Sequence, residues 1–131
     1  MNSSATRPAS DLPSVLIVDD DLFVRRLLED ALAEGGLALR LLQAADGEEA
    51  LTVAARERPE VVLLDLFMPR LSGLEVLAQL RTEVPGSRVV VISSMDAEPV
   101  IEQALQAGAA GFIAKPFHPL EIVSAVREAL R

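Results

Sequence analysis

The chain has 131 residues, half of them apolar, with no cysteine and a net charge of −8. That length and composition describe one globular domain able to bury a core without disulfides or metal staples. They exclude thiol chemistry and Cys-based metal sites, and the acidic balance argues against direct nucleic-acid binding, which needs an excess of Lys and Arg.

Residues 1–13, MNSSATRPASDLP, lack periodicity and any hydrophobic signal segment, and read as a flexible tail. No apolar run approaches the ~20 residues of a membrane span, so a cytoplasmic protein is expected. From residue 14 onward one rhythm repeats five times, a short apolar run followed by an amphipathic stretch. The runs are VLIV (15–18), LRLLQA (39–44), VVLL (61–64), RVVVI (88–92) and GFIA (111–114). Near-continuous hydrophobicity of this kind marks parallel strands buried on both faces.

Helical spacing follows each run. Phe23, Leu27, Leu28, Ala31 and Leu32 form one stripe, Val100, Ile101, Ala104 and Leu105 another, and Leu120, Val123, Val126 and Leu130 a last one. Asp46 with Glu49 and Ser72 with Glu75 have capping-box spacing. Pro99 and Pro119 suit first helical turns, and Gly35, Gly36 and Gly108 suit helix ends. The expected fold is α/β, (βα)5, a doubly wound parallel sheet with right-handed crossovers.

Ligands of such sheets bind beyond the carboxyl ends of the strands. There the first strand ends in Asp19-Asp20-Asp21, the third in Asp65, the fourth in Ser93-Ser94 and the fifth in Lys115, the only lysine of the chain. The second ends in Ala44-Ala45, as suits an edge strand. Asp20 or Asp21 is also placed to cap the helix starting near Leu22, whereas Asp65 precedes Leu-Phe-Met-Pro, which starts no helix. Carboxylates converging at one rim repel unless a cation joins them. With no Cys, and the one His away from the acidic cluster, the donor set suits Mg2+, with Mn2+ as a substitute, over zinc. A hard cation, an ammonium and a hydroxyl around one carboxylate are the parts that stabilise a phosphoryl group moving onto it.

The set VDDD (18–21), DLFMPRLSG (65–73), ISS (92–94) and AKPF (114–117) resembles the receiver domain of bacterial two-component response regulators over residues 14 to 131. The resemblance implies strand order 2-1-3-4-5, the flavodoxin-like arrangement. It also implies Asp65 as phosphoacceptor, and Mg2+ held by Asp19, Asp20, Asp65 and the backbone carbonyl of Phe67. Ser93 would bond a phosphoryl oxygen, and Lys115 would pair with Asp65 and then with the phosphoryl group. Pro116 would follow a cis peptide, and Phe112 would be the switch aromatic, working by packing because it lacks a hydroxyl. The donor would be the phosphohistidine of a sensor histidine kinase or phosphotransfer protein. The output would be another protein or an effector domain, with neither DNA nor membrane contacted by this domain. Such a chain is not an enzyme in the ordinary sense, since it catalyses only its own phosphorylation and dephosphorylation. His118, just before Pro119, reads as a helix cap and not as a phosphohistidine. The resemblance also implies that Phe67 and Met95, both large and apolar, would flank the approach of water to the phosphoryl group.

Two rivals stand beside this reading. An aspartate-nucleophile phosphatase of the haloacid dehalogenase type needs a second Asp two residues after the nucleophile, where this chain has Phe67. A phosphorylation-independent docking domain would not need the acidic set.

Overall fold

The structure is a computed structural model that describes residues 11–94 and 98–131; most of the expected tail (residues 1–10) and Met95 lie outside the described residues. Among the described residues five strands, β1 (Ser14–Val18), β2 (Arg40–Ala44), β3 (Val61–Asp65), β4 (Arg88–Ser93) and β5 (Gly111–Ala114), alternate with five helices. The helices are α1 (Leu22–Glu34), α2 (Gly47–Glu57), α3 (Gly73–Glu83), α4 (Glu98–Gln106) and α5 (Pro119–Ala129). All strand pairs are parallel, in the order β2-β1-β3-β4-β5. Each predicted apolar run is a strand.

Alternation along the strands splits the core in two. Leu16, Val18, Val62, Leu64, Val89 and Val91 face α2, α3 and α4, where Ala50, Val53, Val76, Leu77, Leu80 and Ala104 meet them. Val15, Ile17, Val61, Leu63, Val90 and Ile92 face α1 and α5 through Leu28, Ala31, Leu32, Ile122 and Val126. Both faces of the central strands are therefore dry, which is why their sequence shows no polar alternation.

Three predicted stripes need correcting at their edges. In α1 only Leu28, Ala31 and Leu32 are buried, while Phe23 and Leu27 are exposed, as is Leu22. In α4 Leu105 is exposed and Ala104 is the buried residue. In α5 Leu120 is exposed, and Ile122 joins Val123 and Val126 inside. A helix resting on a flat sheet buries a narrow arc, and residues at the flanks of the apolar stripe fall outside it.

The caps are largely as expected. Ser72 and Glu75 form a reciprocal capping box. Asp46 accepts from the Glu49 amide, but Glu49 bonds the Ala45 amide instead of that of Asp46. His118 caps α5, its Nδ1 accepting from the Leu120 N–H, with Pro119 as the first helical residue. The Lys115–Pro116 peptide is cis.

Candidate functional site

Register brings the polar residues together. Val18 of β1 pairs with Leu64 of β3, so the next residues, Asp19 and Asp65, leave the sheet side by side. Asp65 pairs with Ile92, the neighbour of Ser93, and Ser93 pairs with Ala114, the neighbour of Lys115. Neighbouring parallel strands end at one level, so residues far apart in sequence share one rim. The Lys115 amide donates to the Ser93 carbonyl at 2.9 Å, extending the β4–β5 ladder to the lysine itself.

Asp19, Asp20 and Asp65 each offer a carboxylate oxygen, and the three oxygens lie within 4.8 Å of one another. Asp19 and Asp65 are buried and Asp20 is exposed. Asp21 is not in the group: it is the N-cap of α1, accepting from the Phe23 amide at 2.8 Å. The Asp19 carboxylate is engaged at both oxygens, Oδ1 accepting from the Asp21 N–H at 2.9 Å and Oδ2 from Lys115 Nζ at 3.0 Å. Lys115 Nζ stands 3.6 Å from Asp65 Oδ2. The lysine is thus closer to Asp19 than to Asp65, the partner expected from the sequence.

Burial drives the Asp65 carboxyl up to about 6, against the Phe67 N–H that donates to its Oδ1 at 3.1 Å; the Asp19 charge adds to the rise and Lys115 opposes it. Burial works against the Lys115 ammonium, but its hydrogen bond to Asp19 and the charges of both aspartates outweigh that and raise its pKa. Two buried carboxylates therefore share one ammonium, an arrangement short of positive charge. Three hard oxygen donors around that deficit fit Mg2+ or Mn2+, and His118, spent as a helix cap, brings no imidazole.

The loop after Asp65 is held close by Gly73. A Cβ there would stand 2.3 Å from Leu66 Cα and 2.9 Å from the Asp65 carbonyl oxygen, and the Gly73 amide bonds the Leu66 carbonyl. Only glycine lets the start of α3 approach the backbone of Asp65 and Leu66 so nearly. Phe67 is exposed, with its amide turned to Asp65. Ser93 is fully buried at the end of β4. Phe112 lies on β5, paired with Val91 and half-buried against the α2–α3–α4 side of the core. Beside the acidic cluster, Phe23, Val24, Leu27, Pro116 and Phe117 line a depression of about 390 Å3 that Ser94 and Lys115 also border. The exposed end of the α1 stripe belongs to this surface.

One contributor was not legible in the sequence. Arg25 of α1 donates to the Asp19 carbonyl at 2.6 Å, and nothing in the local pattern distinguishes it from the surface arginine beside it, Arg26.

The family described as response regulator receiver domain matches residues 15–127. The chain is 40% identical over 117 residues to the response regulator MprA of Mycolicibacterium vanbaalenii, covering 89% of this chain and 50% of that protein. It is 32% identical over 114 residues to the chemotaxis protein CheY of Thermotoga maritima, covering 87% of this chain and 94% of that one. The crystal structure of the response regulator domain of Thermotoga maritima CheB superposes with a TM-score of 0.82 at 30% identity, covering 91% and 96% of the two chains. A CheY-like receiver domain protein of Methanospirillum hungatei gives 0.84 at 27%, covering 92% and 94%. The chain thus spans about half the length of the MprA relatives and nearly all of the CheY relative. Among the described residues no helix is long and apolar enough to cross a membrane.

Proposed function

Because this chain belongs to the response regulator receiver domain family, we propose that it takes a phosphoryl group onto Asp65 from the phosphohistidine of a sensor kinase or phosphotransfer protein. The observation that carries this reading is the register that sets Asp65 beside Asp19, with Lys115 ion-paired to both. Mg2+, held by Asp19, Asp20, Asp65 and the Phe67 carbonyl, would neutralise the carboxylates and the incoming phosphoryl oxygens. An Asp65 oxygen attacks phosphorus, the P–N bond to the donor histidine breaks, and an acyl phosphate forms. Lys115 exchanges its bond to Asp19 for one to the phosphoryl group, a movement its flexible stem allows and a planar guanidinium would not. Ser93 then offers its hydroxyl to a phosphoryl oxygen, and Phe112 repacks as the strand ends shift. The chain would catalyse no step beyond its own phosphorylation and dephosphorylation.

A protein donor is supported by the apolar depression next to Lys115, where Phe23 and Leu27 stand exposed; such surface is normally covered by another protein. The output is a second protein or an effector domain, and the whole would act in the cytoplasm. Neither rival is favoured. The position a haloacid dehalogenase would use for its acid/base holds Phe67, and a mere docking domain gives no reason to bury two carboxylates around a lysine.

Mg2+-dependent labelling by acetyl phosphate tests the reading. Wild type should form an acid-labile, hydroxylamine-sensitive adduct, and Asp65→Asn should form none. Undiminished labelling of that variant would sink the assignment. Lys115→Arg should still bind the cation yet fail to switch its partner.

A further inference from the structure

Strand β2 brings no side chain to the acidic cluster, yet the cluster is tied to it. Arg25 donates from Nη1 to the Asp19 carbonyl at 2.6 Å and from Nε to Gln43 Oε1, on β2, at 2.8 Å. Gln43 Nε2 donates in turn to Glu29 Oε2 at 2.6 Å, so one amide joins two α1 side chains a turn apart. The Asp19 amide is held by the Ala44 carbonyl at 3.2 Å. The main chain of Asp19 is therefore fastened to β2 twice, directly through Ala44 and indirectly through Arg25 and Gln43. Arg25, Glu29 and Gln43 are all half-buried.

This fastening opposes a force. The turn from β1 into α1 carries Asp19 and Asp20 toward Asp65, and like charge drives them apart. A turn free to relax would spread the carboxylates, and a cation would have to gather them again at a cost in affinity. The arginine also stands near the positive end of the α1 dipole, where a cation is disfavoured. Its planar fork, aimed at two oxygens on different elements, offsets that cost and holds a geometry that a single ammonium cannot.

We infer that Arg25, anchored by Gln43, is a positioning residue that raises the cation affinity of the Asp19–Asp20–Asp65 site by holding the backbone of the β1–α1 turn. The inference rests on the reading of those carboxylates as a cation site. Coulomb's law alone has the opposite sign: a positive group bonded to Asp19 repels a cation, and its removal should tighten binding. The direction of the change therefore decides.

The chain has neither Trp nor Tyr to report binding by fluorescence, so the probe is Mn2+, titrated into the whole chain and counted as free ion by electron paramagnetic resonance. Each variant's melting temperature without metal is recorded alongside. Arg25→Met should weaken Mn2+ binding by about 10-fold, the lower end of what outer-shell partners contribute. Gln43→Leu, which keeps the arginine's charge, should weaken it by a smaller factor. Arg25→Lys should not restore wild-type affinity. Unchanged or tighter binding in Arg25→Met overturns the inference, as does wild-type affinity in Gln43→Leu. Should Arg25→Met fail to fold, Gln43→Leu decides alone. A wild type that binds no Mn2+ removes the cation site itself and the inference with it. A wild type that binds while both variants match it leaves the site standing and removes only the role of Arg25.

Discussion

Strand β3 holds two opposed environments within five residues. Val61 to Leu64 are wholly enclosed by aliphatic groups of both core halves, and one step later Asp65, a carboxylate, is 4% exposed. The interior of the sheet satisfies every local preference at once, with apolar side chains in a dry space and backbone groups paired in the ladder. The carboxyl rim does the reverse, burying Asp19 and Asp65 against each other with one lysine between them. The interior therefore supplies stability that the rim draws down, and the rim concentrates negative charge that a bound cation would offset.

The largest test of this contrast is in the interior. Leu64→Ala removes a fully buried side chain one residue from Asp65 and should cost roughly 3 kcal/mol in a denaturant melt. A cost below that of an ordinary surface substitution would show the interior to be less tightly packed than its burial implies.

The rim should show itself through pH. In the folded chain Asp65 holds its proton up to about 6, against an ordinary value of 3.8. The folded state thus binds the extra proton between those values. Its contribution to stability is complete below pH 4 and is lost as pH rises through 6, by up to about 3 kcal/mol. Melts in a chelator should reveal this decline in wild type, and Asp65→Asn should flatten it. A wild type that gains stability over that interval would contradict the burial of Asp65.

Metal should reverse the deficit. At a hundred times its dissociation constant, Mg2+ should add about 2.7 kcal/mol by linkage, and Asp20→Ala should remove most of that gain. A melting temperature indifferent to millimolar Mg2+ at low salt would count against the site.

The smallest effect belongs to a place remote from this conflict. Arg58 ends α2 in the left-handed region, at φ 48°, where a side chain costs ~1–2 kcal/mol. Arg58→Gly should raise stability by under about 1 kcal/mol, since the added freedom of the unfolded chain offsets part of the relief. Calorimetry showing a loss would mean that the arginine makes a compensating contact.

The strands and the polar residues at their ends were legible in the sequence because their signals are local, whereas the strand order came only with the family resemblance. An apolar run with both faces buried needs no distant partner to be recognised, and Asp65 stood out because no helix follows it. The helix faces were legible only in part. Phe23 and Leu27 have the spacing of a buried stripe, but spacing does not say where the arc of contact ends. Lys115 was placed correctly at the rim, yet its shorter contact goes to Asp19, at 3.0 Å against 3.6 Å to Asp65.

Local chemistry by itself thus determined the (βα)5 pattern and which residue types stand at the strand ends, since period, caps and strand-end residues are properties of neighbours along the chain. Tertiary structure alone decided how those ends meet. Pairing β1 with β3 sets Asp19 beside Asp65, and packing α1 against the sheet beside β2 lets Arg25 bridge Gln43 and the Asp19 carbonyl. The Arg25–Gln43 and Lys115–Asp19 bonds join residues 18 and 96 positions apart, and no periodicity encodes a bond between side chains that only register and helix placement bring within about 3 Å.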